Sequence, residues 1–431
     1  MQRIFFSLLG VVALGCSAAL AAAPAVTPAQ KAAICGKRTT CSIGKMQDAG
    51  KDASGAALVV AEVHFGVKDK SDDAPDDGCM TNPDDEKKDG GVEYWLLKGA
   101  KPVQILALCN DGYGAAGVGE DDVQISANRM THKEDGGSNW RWSSTEVFSL
   151  SPFVQLRDTN CSYFNGTNNN GNVTQVDMQK FRGVTVAKNP AGNWGGDDTD
   201  NADCPAVTQK MFDSPQPKPA ANLLTVFPVL TPRNGALDLA NVPSGTALGT
   251  CAMPLSTDGS AGFVVFGKPA AADGAAQMRV VAPTTTSLLI QVYDPAPAKA
   301  PAGKSWISGS HVEVWTLKDD SFDPLTRAKM DQIAVDLDGT IHAGNKGAVV
   351  PAVQHWQARD DKGRPVTVLW LKWKDADATL GTAVSYSQAE AGKQARLVAN
   401  TGMEHGVPLY VPSVSGTKTN CAIVAGVLNV K

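Results

Sequence analysis

Two adjoining stretches decide the fold: His311-Val-Glu-Val-Trp-Thr-Leu-Lys318 and, after a short polar connection, Met330-Asp-Gln-Ile-Ala-Val-Asp-Leu-Asp-Gly-Thr-Ile-His-Ala-Gly344. Val312 and Val314 alternate with Glu313 and Trp315, and Ile333, Val335 and Leu337 alternate with Ala334, Asp336 and Asp338. A period of two belongs to a half-buried β-strand, because successive side chains point to opposite faces of a sheet. Asp338-Gly339 supplies the positive-φ position of a tight hairpin turn, and Thr340-Ile341-His342 begins the return strand.

Outward from this centre the same pattern recurs at residues 58–65, 92–98, 103–108, 122–126, 147–156, 263–266, 277–281, 287–293, 365–373, 381–386, 395–399 and 422–427. Gly and Pro are abundant (42 and 25 of 431 residues), which favours many turns and short strands over long helices. Residues 35–50 and 136–143 read as turn-like connections. The prediction is an all-β protein of two antiparallel β-sandwich domains, disulfide-stapled. Residues 1–25 form a secretory signal peptide, 26–213 an N-terminal β domain with three disulfides, 214–219 (Ser-Pro-Gln-Pro-Lys-Pro) a stiff linker, and 220–431 a C-terminal β-sandwich. The halves echo one another: LVVAEVHF, a loop, then GGVEYWLLKG in the first; SLLIQVYD, a loop, then GSHVEVWTLKD in the second. The preferred reading of that echo is duplication.

Arg3, the apolar run that follows it, and an Ala-rich region suited to cleavage make an export leader too short to span a bilayer. The expected location is periplasmic or secreted. Lipidation at Cys16 is the lesser alternative, because Ala rather than Leu stands third before it. No other stretch is long and apolar enough to be a transmembrane segment. Net charge is −5 with acid and base interspersed, so nucleic acid is excluded as a partner class for want of a basic face.

Setting Cys16 aside leaves eight cysteines, an even number in an exported chain. The pairing expected is Cys35–Cys41, Cys79–Cys109, Cys161–Cys204 and Cys251–Cys421, the last tying the ends of the second domain together. No C-x-x-C occurs to suggest a thiolate metal site.

Three enzyme-like motifs stand in the wrong surroundings. Asp336-Leu-Asp338-Gly339-Thr340 spells the nucleophile and general-acid pair of haloacid-dehalogenase-type phosphatases, but no crossover helices follow it. Residues 298–305 fit a relaxed phosphate loop, yet Pro295, Pro297 and Pro301 keep them extended. Gly112-Tyr113-Gly114-Ala-Ala-Gly117 spells a dinucleotide fingerprint that leads into a strand instead of a helix. The Asp-rich runs at 72–77, 84–86 and 197–203 carry the oxygen donors Ca²⁺ prefers, without EF-hand spacing; they read as solvated loops, with Ca²⁺ the alternative and no other cofactor expected.

Nine Trp outnumber six Tyr, and Trp140, Trp142, Trp194, Trp306 and Trp356 fall in loops or at strand ends. Trp370 and Trp373 fall on opposite faces of one strand, so the sequence predicts that they are not both core. An exposed indole is a platform for the C–H face of a sugar ring. The candidate ligand-binding residues are Tyr113, Trp140, Trp142, Trp315, Trp356, Trp370 and Trp373.

SLLIQVYD, GSHVEVWTL, QIAVDLDGTIHAG and VTVLWLKWKDADATLGTAVSYSQAEAG, in that order over about residues 275–415, resemble the DOMON and family-nine carbohydrate-binding-module type of β-sandwich. That resemblance implies an antiparallel sandwich that binds sugars, or haem in some members, for which Met403 and His405 are ligand candidates. The first half, with CNDGYGAAGVGEDD and GGSNWRW, resembles uncharacterised exported bacterial proteins. The function expected is a non-catalytic exported binding protein for carbohydrate or cell-envelope glycan. The alternatives are a structural or protein-interaction component of the envelope and, last, a hydrolase using Asp336 and Asp338.

Overall fold

The structure, a computed structural model, describes residues 26–36, 41–65, 91–98, 101–109, 120–137, 140–164, 171–178, 181–187, 223–225, 229–230, 242–284, 286–318, 330–374, 381–404, 406–409, 418–419 and 421–430. The signal peptide, Cys16, Cys79, Cys204, Tyr113, Trp194, His405, the acidic runs at 72–77, 84–86 and 197–203, and the 214–219 linker lie outside them. Among the described residues the protein is nearly all β, with one α-helix, α1 (Pro28–Cys35).

In the first half, β1 (Ser42–Lys51), β2 (Ala57–Phe65), β3 (Gly91–Lys98) and β4 (Lys101–Cys109) form a four-stranded antiparallel sheet in chain order. β5 (Glu120–Ser126), β6 (Arg129–Gly137), β7 (Trp140–Leu150), β8 (Phe153–Phe164), β9 (Gly171–Asp177) and β10 (Arg182–Ala187) form an antiparallel meander, extended by β11 (Leu223–Thr225). Leu58, Val60, Tyr94, Leu96 and Ile105 from the first sheet pack on Met130, Phe148, Leu150 and Phe153 from the second. The other face of the four-stranded sheet is buried too. Val59, Ala61, Val63, Trp95 and Leu97 lie against Ile34 of α1. That helix starts in a capping box, with Gln30 N–H donating to the Thr27 hydroxyl at 3.2 Å and Thr27 N–H to the Gln30 side chain at 3.0 Å. The Cys35–Cys41 disulfide ties its end to the start of β1.

The second half contains β12 (Val229–Leu230), β13 (Ala247–Leu248), β14 (Met253–Ser256), β15 (Phe263–Phe266), β16 (Gln277–Thr284), β17 (Ser287–Tyr293), β18 (His311–Leu317), β19 (Met330–Asp336), β20 (Ile341–Ala343), β21 (Ala352–Arg359), β22 (Pro365–Lys372), β23 (Thr382–Glu390) and β24 (Lys393–Ala399). The short strands β25 (Met403–Glu404), β26 (Val407–Pro408), β27 (Lys418–Thr419), β28 (Cys421–Val424) and β29 (Val427–Val430) complete it. One layer runs β14-β16-β17-β22-β21 and the facing layer β15-β24-β23-β18-β19-β20. Val280, Leu288, Ile290, Leu369 and Leu371 meet Val312, Val314, Ile333, Val335, Val384 and Val398 between them. This is a β-sandwich, in which alternate residues of the strands face inward. The Asp338-Gly339 turn forms as the sequence requires: Gly339 has φ 87°, and Asp336 N–H donates to Thr340 C=O at 2.9 Å.

A third layer covers the outer face of the β16–β17–β22 sheet. β13 pairs parallel with β29, β29 pairs antiparallel with β28, and the Cys251–Cys421 disulfide joins the two ends of the half. Val242, Leu248, Cys251, Cys421 and Leu428 pack there on Val281, Leu289, Val368 and Trp370. Cys161 of β8 is disulfide-bonded as well, and its expected partner Cys204 lies outside the described residues, as does Cys79.

Several expectations are corrected. Residues 42–51 are not a turn but the edge strand β1, and 136–137 and 140–143 are not a turn but the arms of the β6–β7 hairpin. The halves do not repeat one topology: β2 and β3 pair directly, whereas their echoes β17 and β18 lie in facing layers. The halves also meet, through Thr419 opposite Val154, Val229 opposite Ala282 and the Arg182 guanidinium 5.1 Å from the Phe263 ring centroid.

Candidate functional site

The outer face of the six-stranded layer carries the alternate residues of β18, namely His311, Glu313 and Trp315. Register sets what surrounds them. His311 stands opposite Asp336 and Ser387, Glu313 opposite Ala334 and Ser385, and Trp315 opposite Gln332 and Ala383. His342 of β20 stands opposite Ala334. At the Trp315 end this face is dry: Trp315, Met330 and Ala383 are covered by Leu317, Met403 and Val407. Met403 is thus packing for an indole, and its proposed haem partner His405 is outside the described residues.

At the other end the face is polar. Trp306, half-buried in a 3₁₀ turn (Trp306–Ser308), meets the His311 ring edge-on at 4.8 Å and lies within 17° of parallel to the His342 ring at 6.1 Å. His342 Nε2 is 2.9 Å from Asp336 Oδ2, and both side chains are a little over one quarter exposed. Beneath them His311 is fully buried, with Nδ1 2.8 Å from Gly309 C=O and Nε2 3.1 Å from Glu313 Oε1; Gln332 Nε2 donates to Glu313 Oε2 at 3.1 Å. Ser310 holds the loop that carries Trp306 in place. Its hydroxyl accepts from Ala298 N–H and Ala389 N–H, and its own N–H donates to Ala298 C=O. The arrangement is a half-exposed aromatic beside a partly exposed acid–imidazole pair, above the hydrogen-bonded side chains of His311, Glu313 and Gln332. A ligand with both apolar faces and hydroxyls could use both parts.

Asp338 sits on the hairpin turn. Hydrogen bonds from Thr340 and the Lys299 ammonium at 3.5 Å hold its carboxyl below the usual carboxylate range. Asp338 and Lys299 are both largely exposed and Asp336 is paired with His342, so the two aspartates make no enclosed dyad.

The candidate tryptophans separate. Trp315, Trp370 and Trp373 are buried (1, 3 and 5 % exposed), so they offer no surface for a sugar. The inference that Trp370 and Trp373 could not both be core is wrong because β22 is buried on both faces: Trp373 enters the sandwich core and Trp370 the third layer. Trp356 is half-buried, donates Nε1–H to Thr246 C=O at 3.0 Å and meets Trp370 edge-on at 6.4 Å. Trp142 is half-buried over Gly136, where a Cβ would come within 2.9 Å of the indole; this explains the first glycine of the Gly-Gly before Trp-Arg-Trp. Trp140 lies in β7 opposite Phe164, and Tyr113 is outside the described residues. His342 and the buried, hydrogen-bonded His311, Glu313 and Gln332 were missed, and Asp336 was singled out only with Asp338 as a hydrolase pair, not as the partner of His342. Only the alternation in β18 hinted at them, since a strand with valines on one face and His, Glu and Trp on the other has two different neighbourhoods.

No family model matches the chain, and no curated protein matches it. Among solved structures, it is similar to a family 9 carbohydrate-binding module from Caldicellulosiruptor kristjanssonii in complex with glucose, at 11% identity and a TM-score of 0.26, covering 43% of this chain and 88% of the module. The same module in complex with cellotriose aligns at 12% identity and a TM-score of 0.25, covering 43% of this chain and 86% of the module. Overlays this loose carry no argument, and the fold stands on its own strand register.

Proposed function

We propose that the protein is an exported, non-catalytic binding protein that takes carbohydrate or cell-envelope glycan on the Trp306–His342–Asp336 patch. The observation that carries this reading is the half-exposed Trp306 beside the His342–Asp336 pair, 2.9 Å apart. An indole supplies the face on which sugar C–H groups pack, and a carboxylate and an imidazole take hydroxyl hydrogen bonds. The short leader-like N-terminus and the disulfides support export. Among the described residues no helix is long and apolar enough to cross a membrane.

The test is intrinsic Trp fluorescence of the mature protein against a panel of soluble glycans, with and without Ca²⁺. A saturable shift that Trp306→Ala abolishes and Asp336→Asn weakens roughly tenfold is the expected result. Calcium dependence would bring the acidic runs into the site. A flat titration across the panel would overturn the proposal and leave a structural or protein-interaction role in the envelope.

A further inference from the structure

The first sandwich has a polar margin at one end of its core. Asp121 stands opposite Glu134, and His132 opposite both Val123 and Glu146. His132 shares its face with Met130, and Glu146 with Phe148, so these polar groups continue the row that packs on the four-stranded sheet. His132 is 6 % exposed and Glu146 8 %. The two nitrogens of the His132 ring have different neighbours. Nδ1 is 3.2 Å from Glu146 Oε2, and Glu146 Oε1 accepts from the Gln155 side-chain amide at 3.0 Å. Nε2 points the other way, 2.8 Å from Asp121 Oδ1. One ligand atom each from Asp121, His132 and Glu134 lies within 4.8 Å of the other two.

We propose that Asp121, His132 and Glu134 bind a divalent transition-metal ion of the zinc class, through the imidazole Nε2 and two carboxylates, with Glu146 orienting the ring from Nδ1. Metal-bound imidazoles commonly donate their second N–H to a carboxylate, which fixes the tautomer and aims the free lone pair at the ion. Glu146, itself held by Gln155, stands where that carboxylate belongs. Ligand atoms about 2.1 Å from a tetrahedral ion lie about 3.4 Å from one another, so the group closes on an ion by small side-chain rotations on strands whose register already fixes it. A nitrogen donor with two oxygens suits Zn²⁺ or Mn²⁺ better than Ca²⁺ or Mg²⁺, which favour oxygen alone. Three protein ligands leave one position for water or a donor from outside.

The proposal is tested by titrating ZnCl₂ calorimetrically into chelator-treated full-length protein. One saturable equivalent per chain is expected, with CaCl₂ at the same concentration failing to compete. Glu134→Gln, at a half-buried position, is expected to weaken binding at least 100-fold, and His132→Gln, checked for folding by circular dichroism, to abolish it. Glu146→Gln, which removes only the orienting group, should cost 10–100-fold. His355→Gln, at an exposed position of β21 in the second half, should leave Zn²⁺ binding unchanged. Absence of saturable Zn²⁺ binding, or binding that survives both Glu134→Gln and His132→Gln, or binding lost on His355→Gln, would overturn it.

Discussion

Replacing both Cys251 and Cys421 with Ala should lower the melting temperature of the second half by about 13 °C. The disulfide joins residues 170 apart, and both cysteines are buried in the layer over Trp370. Closing a loop of that length removes chain entropy from the unfolded state worth about 5 kcal/mol at 25 °C. Alanine leaves an apolar group in each place, so the transfer loss is small beside that figure. A unit of about 190 residues unfolds with an entropy near 0.4 kcal/mol/K, and 5 kcal/mol divided by 0.4 gives the expected shift. The assay is differential scanning calorimetry of the double variant against the wild type, without reductant so that the Cys35–Cys41 bond is kept. A fall of less than about 3 °C, near 1 kcal/mol, would show that packing and the β13–β29 pairing hold the third layer by themselves, and the reasoning would fail.

Trp370→Ala should destabilise by about 3–5 kcal/mol in urea unfolding while leaving glycan affinity of the folded protein unchanged, since the indole is core; a lost affinity at unchanged stability would return Trp370 to the surface. At Asp360 burial raises the carboxyl pKa, but hydrogen bonds from Arg364 and the Lys362 amide outweigh it and hold the pKa below its ordinary value. The stabilisation from this group is therefore complete above the unfolded carboxylate pKa of about 4 and is lost as pH falls through the lower folded value. Asp360→Asn should cost about 1–3 kcal/mol at pH 7 and flatten the acid limb of a stability–pH curve; a parallel acid limb would count against it. Tyr386 donates to Asp294 Oδ2 at 2.6 Å from the sandwich core, so Tyr386→Phe should lower stability by about 1–2 kcal/mol, read by thermal unfolding.

The strands that alternate were legible: β2, β3, β16 to β19 and β22 lie where a period of two puts them, and Asp338-Gly339 turns the chain as its residue types require. So were the Cys35–Cys41 and Cys251–Cys421 bonds. What escaped was set by partners distant in the chain. β1 reads Ser-Ile-Gly-Lys-Met-Gln-Asp-Ala-Gly-Lys, with no alternation, because it is an edge strand mostly facing solvent. Trp370 was misjudged because its cover comes from residues 242–252 and 421–430, more than a hundred residues away on one side and fifty on the other. The patch at Trp306 needed the β18–β19–β20 register and the anchoring of a proline-rich loop by Ser310, neither of which a local pattern encodes.

The Cys251–Cys421 bond also has a mechanical meaning. Tension applied along the chain from its two ends would pass through the sulfur bridge and bypass the residues between. Those 170 residues hold about 580 Å of extensible backbone, at about 3.4 Å each, that pulling cannot release. Both layers of the second sandwich, Trp306 and the His342–Asp336 pair lie inside that shielded length, so load from the ends would fall on what lies outside it, the first half and the strands β12, β13 and β29.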